Sequence, residues 1–152
     1  MMEQPANLIA GPGQGEPLAL DGMTAMLKAG GELTLGAFTV LECVMPPGSS
    51  GPARHLHRQT YEMFQVLEGE LTLYMGERTV SAGPGYLAFV PLGVAHAFSN
   101  AGQSPVRFLH ITSPGGYETY LRQLAQLQAE KGTPLPQDIA QELAERYDSE
   151  PA

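Results

Sequence analysis

Tryptophan is absent and cysteine occurs once, at position 43. A lone cysteine cannot close an internal disulfide, so the chain has to hold itself together by burying apolar surface. Cys43 lies in the apolar run from Val40 to Met45, where a buried structural thiol is expected, and nothing nearby in sequence would activate it as a nucleophile. Positive charge is also scarce: 8 Lys and Arg stand against 16 Asp and Glu, giving a formal net charge of −8 and a pI near 4.8. A surface of that sign repels phosphate backbones and anionic lipid, which excludes nucleic acid and membrane as expected partners. No apolar run approaches the roughly 18 to 20 residues that span a bilayer. The opening MMEQPANLIAGPGQGEP has neither the basic nor the apolar region of a signal peptide, so a cytoplasmic protein is expected.

What the sequence has in quantity is glycine and proline, 18 and 13 in 152 residues. They punctuate short runs rich in β-branched and aromatic residues, the pattern of an antiparallel barrel or sandwich. Strands are predicted near 33–45, 54–57, 61–67, 70–75, 78–81, 86–90, 94–99 and 105–112. Residues 1–29 read as an N-terminal arm, without periodicity in its Gly-, Pro- and Gln-rich opening, and 30–113 as the β-barrel. Residues 114–152 form a helical tail packed on the barrel. There Ser113 and Pro114 supply an N-cap and first-turn pair, and Tyr120, Leu121, Leu124 and Leu127 recur at helical spacing until Gly132. A second helix near 138–147 carries Ile139, Leu143 and Tyr147 on one face.

Chemistry concentrates in two segments. In RHLHRQTYEMFQVLEGEL, His55 and His57 stand two apart in a predicted strand, so both imidazoles face the same way. Glu62 opens the next strand on the face shared with Phe64 and Val66, and a tight turn over 58–61 brings its carboxylate beside them. In GYLAFVPLGVAHAFSN, Pro91 and Gly93 make a corner just before His96, which supplies a third imidazole. Three nitrogen donors and one carboxylate suit one divalent transition-metal ion, whether Fe, Mn, Ni, Cu or Zn, and leave coordination positions open for substrate or dioxygen. An HxH pair by itself is a weak signal; the two segments together are not.

The spacings His55-x-His57-x4-Glu62-x6-Gly69 and Gly85-x5-Pro91-x-Gly93-x2-His96-x3-Asn100 resemble both sequence motifs of the cupin superfamily. One departure stands at the front, where Ser49 occupies the place of the family's leading glycine, with Gly48 and Gly51 on either side. The resemblance covers about residues 30–113. It implies an all-β, double-stranded β-helix (cupin) barrel or jelly-roll-like sandwich with a short C-terminal helical tail. It implies His55, His57, Glu62 and His96 as the metal ligands, and Gly69, Gly93 and Asn100 as residues that shape turns.

Cupins host many reactions, so the fold names none. The phrases LTLGAFTVLECVMPPG, YEMFQVLEGEL and VRFLHITSPGGYETYL resemble single-domain proteins similar to quercetin 2,3-dioxygenase. That likeness implies a metal-dependent dioxygenase acting on a small enolisable or aromatic substrate. Glu62 would then be both a ligand and the catalytic group that holds the substrate's hydroxyl proton. A metal-dependent isomerase, lyase or decarboxylase on a small polar substrate, and a non-catalytic metal- or ligand-binding cupin, are the alternatives. Partners are expected to be the small-molecule substrate and a second copy of the chain in a homodimer. Phe64, Phe89 and Phe98 fall on the inward phase and read as core, with a pocket wall as the alternative. His110 reads as a core or surface histidine, with support of a ligand as the alternative. Arg54, Arg58, Arg107 and the tyrosines receive no role.

Overall fold

The computed structural model describes residues 8–152, so the first seven residues of the expected arm lie outside the described residues. In chain order the strands are β1 (Glu16–Leu20), β2 (Met23–Ala29), β3 (Thr39–Met45), β4 (His55–Leu56), β5 (Tyr61–Glu68), β6 (Leu71–Met75), β7 (Arg78–Ala82), β8 (Leu87–Val90), β9 (His96–Ser99) and β10 (Val106–Ser113). Helices α1 (Tyr117–Lys131) and α2 (Gln137–Arg146) follow, and the short β11 (Glu150–Pro151) closes the chain. They form two antiparallel sheets, β1-β2-β3-β10-β5-β8 and β11-β4-β9-β6-β7.

Period-two alternation drives this arrangement. In β10, residues 106, 108, 110 and 112 are buried while their neighbours are half-buried, and β3 alternates in the same way. The sheets meet over a cluster in which Phe64 and Phe108 from one face Phe98 from the other. Their ring centroids are 5.1 to 6.1 Å apart in tilted and edge-on packing. Cys43 is buried as expected, and burial pushes its thiol well above the ordinary range. Phe89 is a correction: its register opposite Met63 puts it on the outer face, 49% exposed and stacked on Tyr61 at 5.8 Å.

The expected arm of residues 1–29 is corrected as well, because residues 16–29 are strands of the larger sheet. They form a hairpin whose two-residue loop is Asp21-Gly22, with Gly22 at φ 70°. An Asp-Gly pair is a strong hairpin signal that the sequence did offer. The strand predicted from residue 33 starts only at Thr39. Leu35 and Gly36 take left-handed φ values of 55° and 81°, and the Thr34 hydroxyl donates to the Phe38 carbonyl at 2.6 Å, closing a turn that the pleat cannot include. Helix α1 begins at Tyr117 instead of just after Ser113. Ser113 Oγ is engaged with the Ala37 carbonyl at 2.8 Å, and Gly116 at φ 114° cannot be helical. The buried Glu118 carboxylate then docks the helix, accepting from Gly31 N–H and Thr39 Oγ1 at 2.6 Å each and from Gly116 N–H at 3.1 Å. No helix among the described residues is long and apolar enough to cross a membrane.

Candidate metal centre

Each of the four expected donors arrives on a different piece of backbone. His55 of β4 lies directly across from His96 of β9, so cross-strand pairing sets two imidazoles side by side with centroids 4.4 Å apart. His57 follows β4, and the corner expected at Pro91 and Gly93 is what anchors it: Gly93, at φ 76°, donates its N–H to the His57 carbonyl at 2.7 Å. Glu62 enters from the other sheet as the second residue of β5, facing inward in line with Phe64 and Val66. The structure thus brings His55, His57, Glu62 and His96 together, with one ligand atom from each lying within 4.8 Å of all the others. His57, Glu62 and His96 are buried and His55 is half-buried.

The hydrogen bonds on the far side of each ring decide what the near side offers. His55 Nδ1 lies 2.8 Å from the Ala53 carbonyl, His96 Nδ1 2.9 Å from that of Val94, and His57 Nδ1 2.6 Å from that of Asp148. A carbonyl accepts only, so in all three rings Nδ1 carries the proton and Nε2 presents a lone pair to the centre. The Nε2 atoms of His57 and His96 and Oε2 of Glu62 are buried with no aligned hydrogen-bond partner. Four acceptors converging without a donor leave a site that fits a cation.

Burial favours the uncharged form of the Glu62 carboxyl, but the imidazoles of His110, His57 and His96 set against it outweigh that and hold the group well below the ordinary range. Burial lowers His55 to about 4, keeping it a neutral donor. For His57, burial pulls the same way, but the adjoining Glu62 carboxylate raises it on balance.

Three residues outside the expected set also touch the centre. His110 of β10 is buried, stacked on Phe64 at 4.9 Å, with Nε2 3.1 Å from Glu62 Oε1. The inward phase of Phe108, His110 and Thr112 was the signal that could have promoted it from core residue to ligand support. Tyr117, at the start of α1, sets its ring edge-on 5.4 Å from His110 and 6.2 Å from His57. Burial and the Glu62 charge raise its hydroxyl well above the usual range, so it stays protonated. Asp148 has no local signal at all, being 91 residues from the histidine that it contacts.

The remaining motif positions carry turns. Asn100 is buried and its amide donates to the carbonyls of Met45, Pro46 and Ser104, tying the end of β3 to the loop before β10. Gly69 takes φ 76°, and a Cβ there would sit 2.5 Å from the Pro105 carbonyl oxygen. Ser49, in place of the family's leading glycine, donates to the Gly22 carbonyl at 2.6 Å and accepts from Asn100 N–H at 2.9 Å. The close approach falls on Gly51, where a Cβ would meet the Phe98 carbonyl oxygen at 1.9 Å. The turn is shifted and the ligands stay in place.

The cupin domain family matches residues 41–112, a span that holds all four donors. The chain has a cupin fold. Among solved structures, the sugar phosphate isomerase of the cupin superfamily from Silicibacter pomeroyi is similar at 28% identity and TM-score 0.54, covering 61% of this chain and 60% of its own. A predicted oxalate decarboxylase from Thermotoga maritima gives TM-score 0.62 at 18% identity, covering 69% and 97%. The polyketide cyclase RemF from Streptomyces resistomycificus gives 0.59 at 23% identity, covering 74% and 79%. The last two likenesses are of fold alone. No curated protein matches the chain. The cupin barrel therefore carries a His/Glu cluster that could bind a metal ion.

Proposed function

We propose that the chain is a metal-dependent cupin enzyme that holds one divalent transition-metal ion on His55, His57, Glu62 and His96. Its first reaction class is dioxygenation of a small enolisable or aromatic substrate, as in quercetin 2,3-dioxygenase-like proteins. The observation that supports the metal is the set of converging acceptors with no proton among them. Such an ion supplies Lewis acidity, lowering the pKa of a substrate hydroxyl and favouring its electron-rich anion. The chain's own residues do the rest. Glu62 is the group that receives or holds the hydroxyl proton, and His110 at Oε1 fixes the carboxylate's orientation. With its carboxyl held low, Glu62 is a weak base, so it works only on a substrate acidified at the same moment. Tyr117 narrows the approach with a neutral aromatic wall.

A second reading, a metal-dependent isomerase, lyase or decarboxylase on a small polar substrate, is favoured by the 28% identity to a sugar phosphate isomerase. It is weakened by the cations. Arg58 is engaged by Glu150, Arg107 by Glu42 and Glu68, and Arg54 donates to the Gly76 carbonyl. Oxygen uptake with flavonols and enediols, measured beside elemental analysis of the same sample, tests the first reading; loss of uptake in Glu62→Gln and His57→Ala is expected. Absence of uptake across that panel refutes dioxygenation, and turnover in an anaerobic chamber establishes the second reading in its place.

A cytoplasmic homodimer is part of the same proposal. Tyr61, Leu87 and Phe89 expose apolar surface along the end of the larger sheet, 43, 61 and 49% accessible, a face that a second copy would cover. Sedimentation at a monomer mass near 16.2 kDa would contradict it.

A further inference from the structure

The three histidines are not held alike. His55 and His96 each rest on a carbonyl two residues upstream in their own segments, a contact that local backbone supplies. The only hydrogen bond to His57 Nδ1 among the described residues comes from the far end of the chain.

The segment that reaches it is built to stay there. Asp148 takes φ 59°, a left-handed conformation unusual outside glycine and best tolerated by Asp and Asn. Its carbonyl lies on His57, while its carboxylate returns to the turn between His57 and Glu62. There Oδ1 accepts from Arg58 N–H at 2.9 Å, and Oδ2 accepts from Gln59 N–H at 2.8 Å and from Thr60 Oγ1 at 3.0 Å. Beyond it, Glu150 and Pro151 pair with Leu56 and His55 as β11 on β4, and Ala152 N–H donates to the Arg54 carbonyl at 3.2 Å. Glu150 also pairs with Arg58 at 3.2 Å. Asp148, Glu150, Pro151 and Ala152 thus touch the strand of His55, the ring of His57 and the turn that leads into Glu62.

We propose that residues 148–152 are a strap belonging to the metal centre, and that Asp148 is the positioning residue for His57. This inference rests on the metal reading above. The Asp148 carbonyl keeps the His57 proton on Nδ1 and aims Nε2 inward; its carboxylate fixes the turn that sets the distance from His57 to Glu62. Releasing the strap frees a donor without removing any, so metal affinity falls while the core stays intact.

The test uses the full chain with Co(II) as the probe. Asp148→Ala removes the three carboxylate contacts and the residue type that tolerates the left-handed turn. Co(II) affinity is expected to fall about tenfold or more, the range typical of groups that orient a metal-binding histidine, with a changed visible d–d spectrum. Asp148→Asn keeps the turn and one acceptor, and should restore affinity to within about threefold. Arg122→Ala, which breaks the exposed Glu16 pair far from the strap, is the control and should bind as the unaltered protein does. Wild-type affinity and spectrum in Asp148→Ala would overturn the proposal. If that variant does not fold, Glu150→Ala loosens the strap through Arg58, and unchanged affinity and spectrum there would overturn it equally. Failure of the unaltered protein to bind Co(II) would instead overturn the metal reading. The strap's hold is then still read in the metal-free protein, where a slowly exchanging His57 Nδ1–H resonance is expected and should vanish in Asp148→Ala; its absence from the unaltered protein would refute the strap.

Discussion

Glu118 anchors the start of α1 to the larger sheet, and replacing it by alanine should show how strongly. The side chain is 4% exposed and joins the β2–β3 connection at Gly31 and the start of β3 at Thr39 to the residue that precedes α1, Gly116, bridging 87 and 79 residues of chain to the first two. Hydrogen bonds to a charged acceptor contribute about 1.5–3 kcal/mol each, and buried donors left without a partner cost about 1–3 kcal/mol each. The Thr39 hydroxyl can rotate to another acceptor, and the two amides gain some water as the loop relaxes, so the contributions do not add in full. A loss of about 3–4 kcal/mol follows for Glu118→Ala, and about half that for Glu118→Gln, which keeps one acceptor oxygen. For a chain of this size that corresponds to a fall in Tm of about 10 °C for the alanine variant.

The pH dependence gives a second reading of the same contact. Burial alone would raise the Glu118 carboxyl, but its bonds from Thr39, Gly31 and Gly116 outweigh that and lower it from its ordinary value. A carboxyl lowered in the folded state contributes stability that is fully present above its unfolded pKa, near 4.5, and is lost as pH falls through the lower folded value. The charge-dependent part of the difference between wild type and Glu118→Gln should therefore be constant from pH 7 down to about 5.5 and shrink below about 4.5. Urea denaturation followed by far-UV circular dichroism across that range measures it. A penalty under about 1 kcal/mol for the alanine variant at pH 7, below the value of a single buried charged hydrogen bond, would refute the assignment. So would a Gln penalty that grew as pH fell.

Three further outcomes follow from single positions. Gly51→Ala should cost about 3 kcal/mol or more, because at φ 67° its Cβ would fall 1.9 Å from the Phe98 carbonyl oxygen and push β9, with His96, outward; a denaturant midpoint close to wild type would contradict that close approach. Asn100→Ala should cost about 2–4 kcal/mol, since it strips donors from the Met45, Pro46 and Ser104 carbonyls, and scanning calorimetry would show a clear fall in Tm if those bonds matter. Cys43 is 1% exposed with its thiol pushed up by burial, so a thiol reagent should modify it only after unfolding; rapid labelling of the native protein would refute its core position.

Local sequence determined more of this protein than length or composition would suggest. The alternation through β3, β5 and β10 fixes which face is buried, because neighbouring side chains on a strand must point opposite ways. The spacing of His55, His57 and Glu62, and the Pro91–Gly93 corner before His96, fixes the donor set for the same reason: strands and tight turns are short-range objects that obey local rules. The Asp21-Gly22 hairpin was written there too, in a signal easily read as loop. What only the tertiary structure decided is who stands behind those donors. His110 reaches Glu62 through pairing of strands 48 residues apart, and Asp148 reaches His57 across 91. Phe89 turned outward because its register on β8 pairs it with Met63. Contacts of that kind depend on how sheets and tail close on one another, and no window of neighbouring residues carries that information.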